Sequence, residues 1–153
     1  MDPVNDWQQL QKEGPRMAER VGEPFVITRA FEAPRSLVFA ALTQAEHLAH
    51  WMSPPGMELS HCTVDLQIGG TFHYGMRPRG STGEPLMWGK WTHREIAPPG
   101  RLVVVVQFSD PQGGTTRHPM APAWPLSTLS TTTLTEMNGI TTMHLDWRAL
   151  NAN

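Results

Sequence analysis

A chain of 153 residues with 39% hydrophobic and 17% charged content fits one globular domain around one core, and leaves little room for a second. Its formal net charge is −2 with no basic block, which excludes the electrostatic footprint of a nucleic-acid binder. The longest aliphatic run, Leu102 to Val106, is far short of a membrane span.

The chain opens Met1-Asp2-Pro3-Val4-Asn5-Asp6, without the positive and apolar regions of a signal peptide. The one cysteine, Cys62, has no internal disulfide partner, so a reducing, cytoplasmic setting is expected. Residues 1–23 are polar and broken by Gly14-Pro15 and Gly22. They read as a loosely held extension with a short helix around Asp6 to Lys12, or alternatively as a lid or dimer arm. The folded domain is expected over residues 24–153.

Phe25 to Phe31 is rich in β-branched and aromatic residues and predicts a strand, ended by Ala33-Pro34. Val38, Phe39, Ala41 and Leu42 then recur at helical spacing. Thr43-Gln44-Ala45-Glu46 matches a capping box, and Ala45, Leu48, Ala49 and Met52 supply the apolar face of a second short helix. Trp51 closes that helix, and Pro54-Pro55-Gly56 stops it.

From Met57 the pattern changes to strands. Cys62, Val64, Leu66 and Ile68 alternate with polar residues, and Gly69-Gly70 permits a sharp bend before Phe72, Tyr74 and Met76 alternate on the next strand. Leu86 to Ile96 is read as a strand carrying Trp88 and Trp91, on which Trp91, His93 and Glu95 share a face. Arg101 to Phe108 is a nearly continuous apolar run, expected of a central strand packed on both sides. Asp110 to Pro125 is long enough for a lid, with Met120 and Trp124 as its candidate contacts; a surface loop without that role is the alternative. Leu126 to Glu136 and Ile140 to Arg148 form a hairpin across Asn138-Gly139. On its second strand Met143, Leu145 and Trp147 share one face, opposite His144, Asp146 and Arg148.

The order strand, helix pair and about six antiparallel strands is joined by specific residues: Arg29-x-Phe31-x-Ala33-Pro34, Val38-Phe39-x-Ala41, Leu48-x-x-Trp51, Gly69-Gly70 and Arg94-Glu95-Ile96-x-Pro98-Pro99. Together these resemble the START-like helix-grip (SRPBCC) superfamily, in its bacterial branch named for homology to the activator of the heat-shock-protein ATPase. The resemblance runs from about Phe25 to Asn153. It implies an α+β fold: a curved antiparallel sheet of about seven strands in β-α-α-β6 order, gripping a long C-terminal helix around an apolar cavity. This chain ends Trp147-Arg148-Ala149-Leu150-Asn151-Ala152-Asn153, where similar proteins continue into that helix. Three readings compete: a C-terminally truncated domain, which is the favoured expectation, a partner chain such as a second copy covering the concave face, or the N-terminal extension folding over it.

Chemical constellations are sparse. His47 and His50 lie three apart on the second helix without a third ligand at metal spacing, so no metal site is assigned. His61, His73, His93 and His144 fall on separate strands, and no Ser-His-Asp or Cys-His pattern can be assembled. Neither cofactor nor catalytic residue is assigned. The candidate ligand-binding set is Trp51, Phe72, Tyr74, Met76, Trp91, His93 and Trp147, a mixture of apolar bodies and a few polar groups. The leading expectation is a cytoplasmic protein that encloses a hydrophobic small molecule. A regulator of a chaperone ATPase is the alternative that the resemblance implies. A cyclase or hydrolase using His93 and Glu95 as acid and base is a third.

Overall fold

The computed structural model describes residues 25–117 and 125–150. The expected extension at 1–23 and the lid contacts Met120 and Trp124 lie outside the described residues.

Strand β1 (Phe25–Phe31) leads into helix α1 (Arg35–Thr43) and helix α2 (Ala45–Trp51). The strands β2 (Met57–Val64), β3 (Thr71–Pro78), β4 (Met87–Ala97) and β5 (Arg101–Ser109) follow, then the two-residue β6 (Thr115–Thr116), β7 (Thr128–Met137) and β8 (Ile140–Ala149). They form one antiparallel sheet in the order β1-β8-β7-β5-β4-β3-β2, with β6 pairing β5. Two helices on one face of an open antiparallel sheet is the expected α+β arrangement.

The reading of the central strand holds: Leu102, Val103, Val104 and Val105 are all buried, so β5 is covered on both faces. The hairpin holds as well. Asn138 and Gly139 both have positive φ, 53° and 75°, which matches the right-handed twist of the two strands they join.

The helices pack over one end of the inner sheet face. Val38, Phe39 and Leu42 of α1 and Leu48 and Trp51 of α2 join Phe31, Phe72, Leu102, Leu134, Met143 and others in one core. The caps differ from the sequence reading. Pro34 precedes α1 and has no side chain to cap it; instead a carboxylate oxygen of Glu136, far along the chain, accepts the Arg35 backbone N–H at 2.8 Å. That places negative charge at the positive end of the helix. The Thr43–Glu46 capping box does not form. Gln44 is the N-cap of α2 without a side-chain bond, and the Thr43 hydroxyl donates back to the Phe39 carbonyl at 2.9 Å.

Two strand boundaries also shift. β2 stops at Val64, and Leu66 and Ile68 stand in the following turn, 43% and 66% exposed. Between His93 and Glu95 the β4–β5 register slips, so that Glu95 pairs with Val103 while His93 pairs with Val104. The bulge turns Glu95 to the outer face, where it meets Arg101 at 2.8 Å. Trp91, His93 and Glu95 therefore do not share a face.

Candidate functional site

Strand alternation decides which side chains meet. On β3, Phe72, Tyr74 and Met76 all face inward and are at most 7% exposed. Their β4 neighbours in register are Trp91, Gly89 and Met87. The absence of a side chain at Gly89 makes room for the phenol ring: a Cβ there would sit 2.5 Å from Tyr74 Cζ. With that space, Phe72 meets Trp91 edge to face at 5.0 Å and Tyr74 at 4.7 Å.

The polar atoms of this aromatic group are satisfied internally. Trp91 and Tyr74 are joined by a side-chain hydrogen bond, and since an indole only donates, the phenol oxygen accepts. Burial raises the Tyr74 phenol well above its ordinary range, only partly opposed by the Trp91 bond. The hydroxyl stays neutral.

His93 sits beside this group, 1% exposed. The Gly69-Gly70 bend positions it. Gly69 takes a positive φ of 83°, and a Cβ on Gly70 would come within 2.8 Å of Asp65 Cγ and closer still to the Asp65 carbonyl. Both positions therefore need glycine. The Gly70 carbonyl then accepts two bonds from His93, from its backbone N–H and from ring Nδ1, each at 2.9 Å.

Across the sheet, one row of paired residues links the two arms of the candidate site. His93 pairs Val104, Val104 pairs Ser130, and Ser130 pairs Trp147, which pairs Phe25. Three strand spacings separate His93 from Trp147, roughly 14 Å along the sheet. The Trp147 indole N–H donates to Ser130 Oγ at 3.0 Å, and its ring stacks on Phe25 at 5.4 Å. Phe25, Trp91, Val106 and Trp147 are only partly buried, whereas Phe72, Leu134 and Met143 beneath the helices are sealed. The inner face thus has a closed end and a half-open row.

Six of the seven proposed ligand residues lie on this one surface: Phe72, Tyr74, Met76, Trp91, His93 and Trp147. Trp51 belongs to the same buried cluster but its polar atom is committed elsewhere. Its indole N–H donates to the Ala41 carbonyl at 2.6 Å, satisfying a carbonyl at the end of α1. The sequence reading did not single out Phe25, Ser130, Val104 or Gly89. The signal for Ser130 and Thr132 was the period-2 pattern of β7, hidden by a run of hydroxyl residues that sit on both faces.

The histidines separate as read, with one meeting. His61 and His73 come together on the outer face against Trp88, with all three ring separations at 5.1 Å. Among the described residues no group of three or more His, Cys, Asp or Glu is arranged to hold a metal ion. Cys62 is half-buried on the inner face, where burial raises its thiol and its Sγ contacts the Ala45 carbonyl at 3.6 Å. That is the environment of a packing residue.

Residues 32–153 match the family described as Activator of Hsp90 ATPase homolog 1-like protein. No curated protein matches the sequence. Solved structures match the fold across most of the chain. A Mycobacterium smegmatis protein aligns with TM-score 0.67 at 22% identity, covering 84% of this chain and 74% of its own. An Arthrobacter aurescens protein aligns with TM-score 0.68 at 22% identity, covering 88% and 72%. An HSP90 activator from Plasmodium falciparum aligns with TM-score 0.57 at 21% identity, covering 86% and 76%.

Proposed function

Since the chain belongs to the Activator of Hsp90 ATPase homolog 1-like family, we propose that it is a helix-grip binding protein whose inner sheet face takes up a hydrophobic small molecule. The observation that carries this reading is the half-open row. Trp91, Val106, Trp147 and Phe25 leave aromatic and aliphatic surface accessible beside a sealed core, with His93 and Ser130 as polar points between the arms. Glu95 lies on the outer face with Arg101, which removes the base partner that an acid–base reading of His93 requires.

The test pairs two tryptophans on opposite faces. Titration with 1-anilinonaphthalene-8-sulfonate should give saturable binding that Trp91→Ala weakens about fivefold or more, while Trp88→Ala on the outer face leaves it unchanged. Native mass spectrometry of the purified protein should show a co-purified apolar species. Equal effects of the two substitutions would refute the reading.

A second reading follows from family membership and from the fold shared with the Plasmodium falciparum activator: regulation of an Hsp90-type ATPase. Its support would be a raised ATPase rate of the purified chaperone on adding this protein. No helix among the described residues is long and apolar enough to cross a membrane. The lone cysteine supports a reducing, cytoplasmic setting. A second copy over the half-open row is the self-association this surface would support, read directly by light scattering.

A further inference from the structure

We propose that the ligand of this groove carries a hydrogen-bond donor, an O–H or N–H on a rigid apolar body, and that His93 Nε2 receives it. The proposal rests on the small-molecule reading above and specifies the ligand class.

The argument begins at the Gly70 carbonyl. A carbonyl oxygen only accepts, so the 2.9 Å contact with His93 Nδ1 requires the proton on Nδ1. In the neutral ring Nε2 is then a lone-pair acceptor. Among the described residues it has no hydrogen-bond partner, although His93 is 1% exposed. The bend that fixes Nδ1 also fixes the ring, because the same Gly70 carbonyl accepts the His93 backbone N–H and the Gly69 backbone N–H donates to the His93 carbonyl at 2.8 Å. The acceptor is thus held in place before any ligand arrives, and forming its bond costs little side-chain ordering.

His93 Nε2 can only accept, whereas the Ser130 hydroxyl can donate as well as accept, so His93 is the contact that calls for a donor. Trp91 is bonded to Tyr74, and Trp147 to Ser130. A ligand with no donor leaves Nε2 as it is, without a partner, whereas a donor of the same shape gains a hydrogen bond there. Plain hydrocarbons and ethers are therefore discriminated against relative to alcohols, phenols and amides of the same shape. The body should be planar or rigid, because Trp91, two residues before His93 on the same strand, packs edge to face on Phe72.

Three probes separate this proposal from the reading beneath it: naphthalene, 1-naphthol and 1-methoxynaphthalene, measured by equilibrium dialysis against the full chain at neutral pH. All three should bind. 1-Naphthol should bind about five- to tenfold more tightly than its methyl ether, although the ether is the more apolar. His93→Asn is the informative variant. Its side-chain amide can still donate to the Gly70 carbonyl, but it has no atom at the Nε2 position. It should keep naphthalene binding and bring the ratio of naphthol to ether close to one. If naphthalene binds and the wild-type protein prefers the ether, or if His93→Asn preserves the naphthol preference, the donor proposal is overturned while the groove reading stands. If none of the three probes binds, both are overturned. The wild-type preference decides the question even where the variant does not fold.

Discussion

Replacing Gly89 by alanine should disturb the packed group of Phe72, Tyr74 and Trp91. A Cβ built on Gly89 lies 2.5 Å from Tyr74 Cζ and 2.8 Å from Cε2, well inside contact distance. Tyr74 has little room to yield. It is 7% exposed, packed on Phe72 at 4.7 Å, and its oxygen is bonded to Trp91. Overpacking of this kind costs about 1–3 kcal/mol, and displacing the phenol from Trp91 adds about 0.5–1.5 kcal/mol. The gain of about 0.5–1 kcal/mol from removing a strand glycine offsets part of this. The net expectation is a loss of about 2–3 kcal/mol, read as a lower urea midpoint at unchanged slope with tryptophan emission as the probe. Tyr74→Leu, whose shorter side chain ends before the clash, provides the control. Gly89→Ala in that background should cost less than about 0.5 kcal/mol, a coupling of about 2 kcal/mol. If Gly89→Ala costs the same with either residue at position 74, the glycine does not serve the phenol ring and the packing account is wrong.

Thr141 is fully buried, and its hydroxyl donates to the Ala33 carbonyl at 2.7 Å. Thr141→Val should cost about 1–3 kcal/mol by orphaning that carbonyl, and Thr141→Ser, which keeps the bond, only about 0.8 kcal/mol for the lost methyl; a thermal melt showing the reverse order would contradict the assignment. The chain has one tyrosine, so phenolate absorbance reports Tyr74 alone. Its folded pKa is raised by burial, so its contribution to stability is fully present below the unfolded value of about 10 and is lost as pH rises above that value toward the folded one. Phenolate should therefore appear only together with unfolding; smooth titration of the native protein near the ordinary value would show the ring to be exposed.

Much of the fold was legible because period-2 alternation survives wherever one face is buried. β3 and β8 present Phe72-Tyr74-Met76 and Met143-Leu145-Trp147 inward, as their sequences read. Asn138-Gly139 was legible because few other pairs accept two successive positive φ values. What the sequence concealed are effects of distant partners. The β4 bulge that turns Glu95 outward has no local marker, since either face of an amphipathic strand end accepts a glutamate. The capping box failed because the Thr43 hydroxyl found the Phe39 carbonyl one turn back. The cap of α1 comes from Glu136, 101 residues away. In the site, the aromatic members could be listed from alternation, but the row through Val104 and Ser130 depends on register across four strands, and register is not written in any one strand.

The pairing of β1 with β8 also governs the order in which this chain can acquire its shape. β2 to β5 form a meander of neighbours, so those ladders close through short loops while the polypeptide is still being made. β1 must wait. Among the described residues its one neighbour in the sheet is β8, and the Thr141–Ala33 bond spans 108 residues. Until β8 has left the ribosome, Ile27 and Phe31 have no sheet to join, and the inner-face surface that they cover in the core is open to solvent. An early product lacking β8 therefore leaves β1 unpaired and part of the inner apolar face uncovered, a form open to association through that surface.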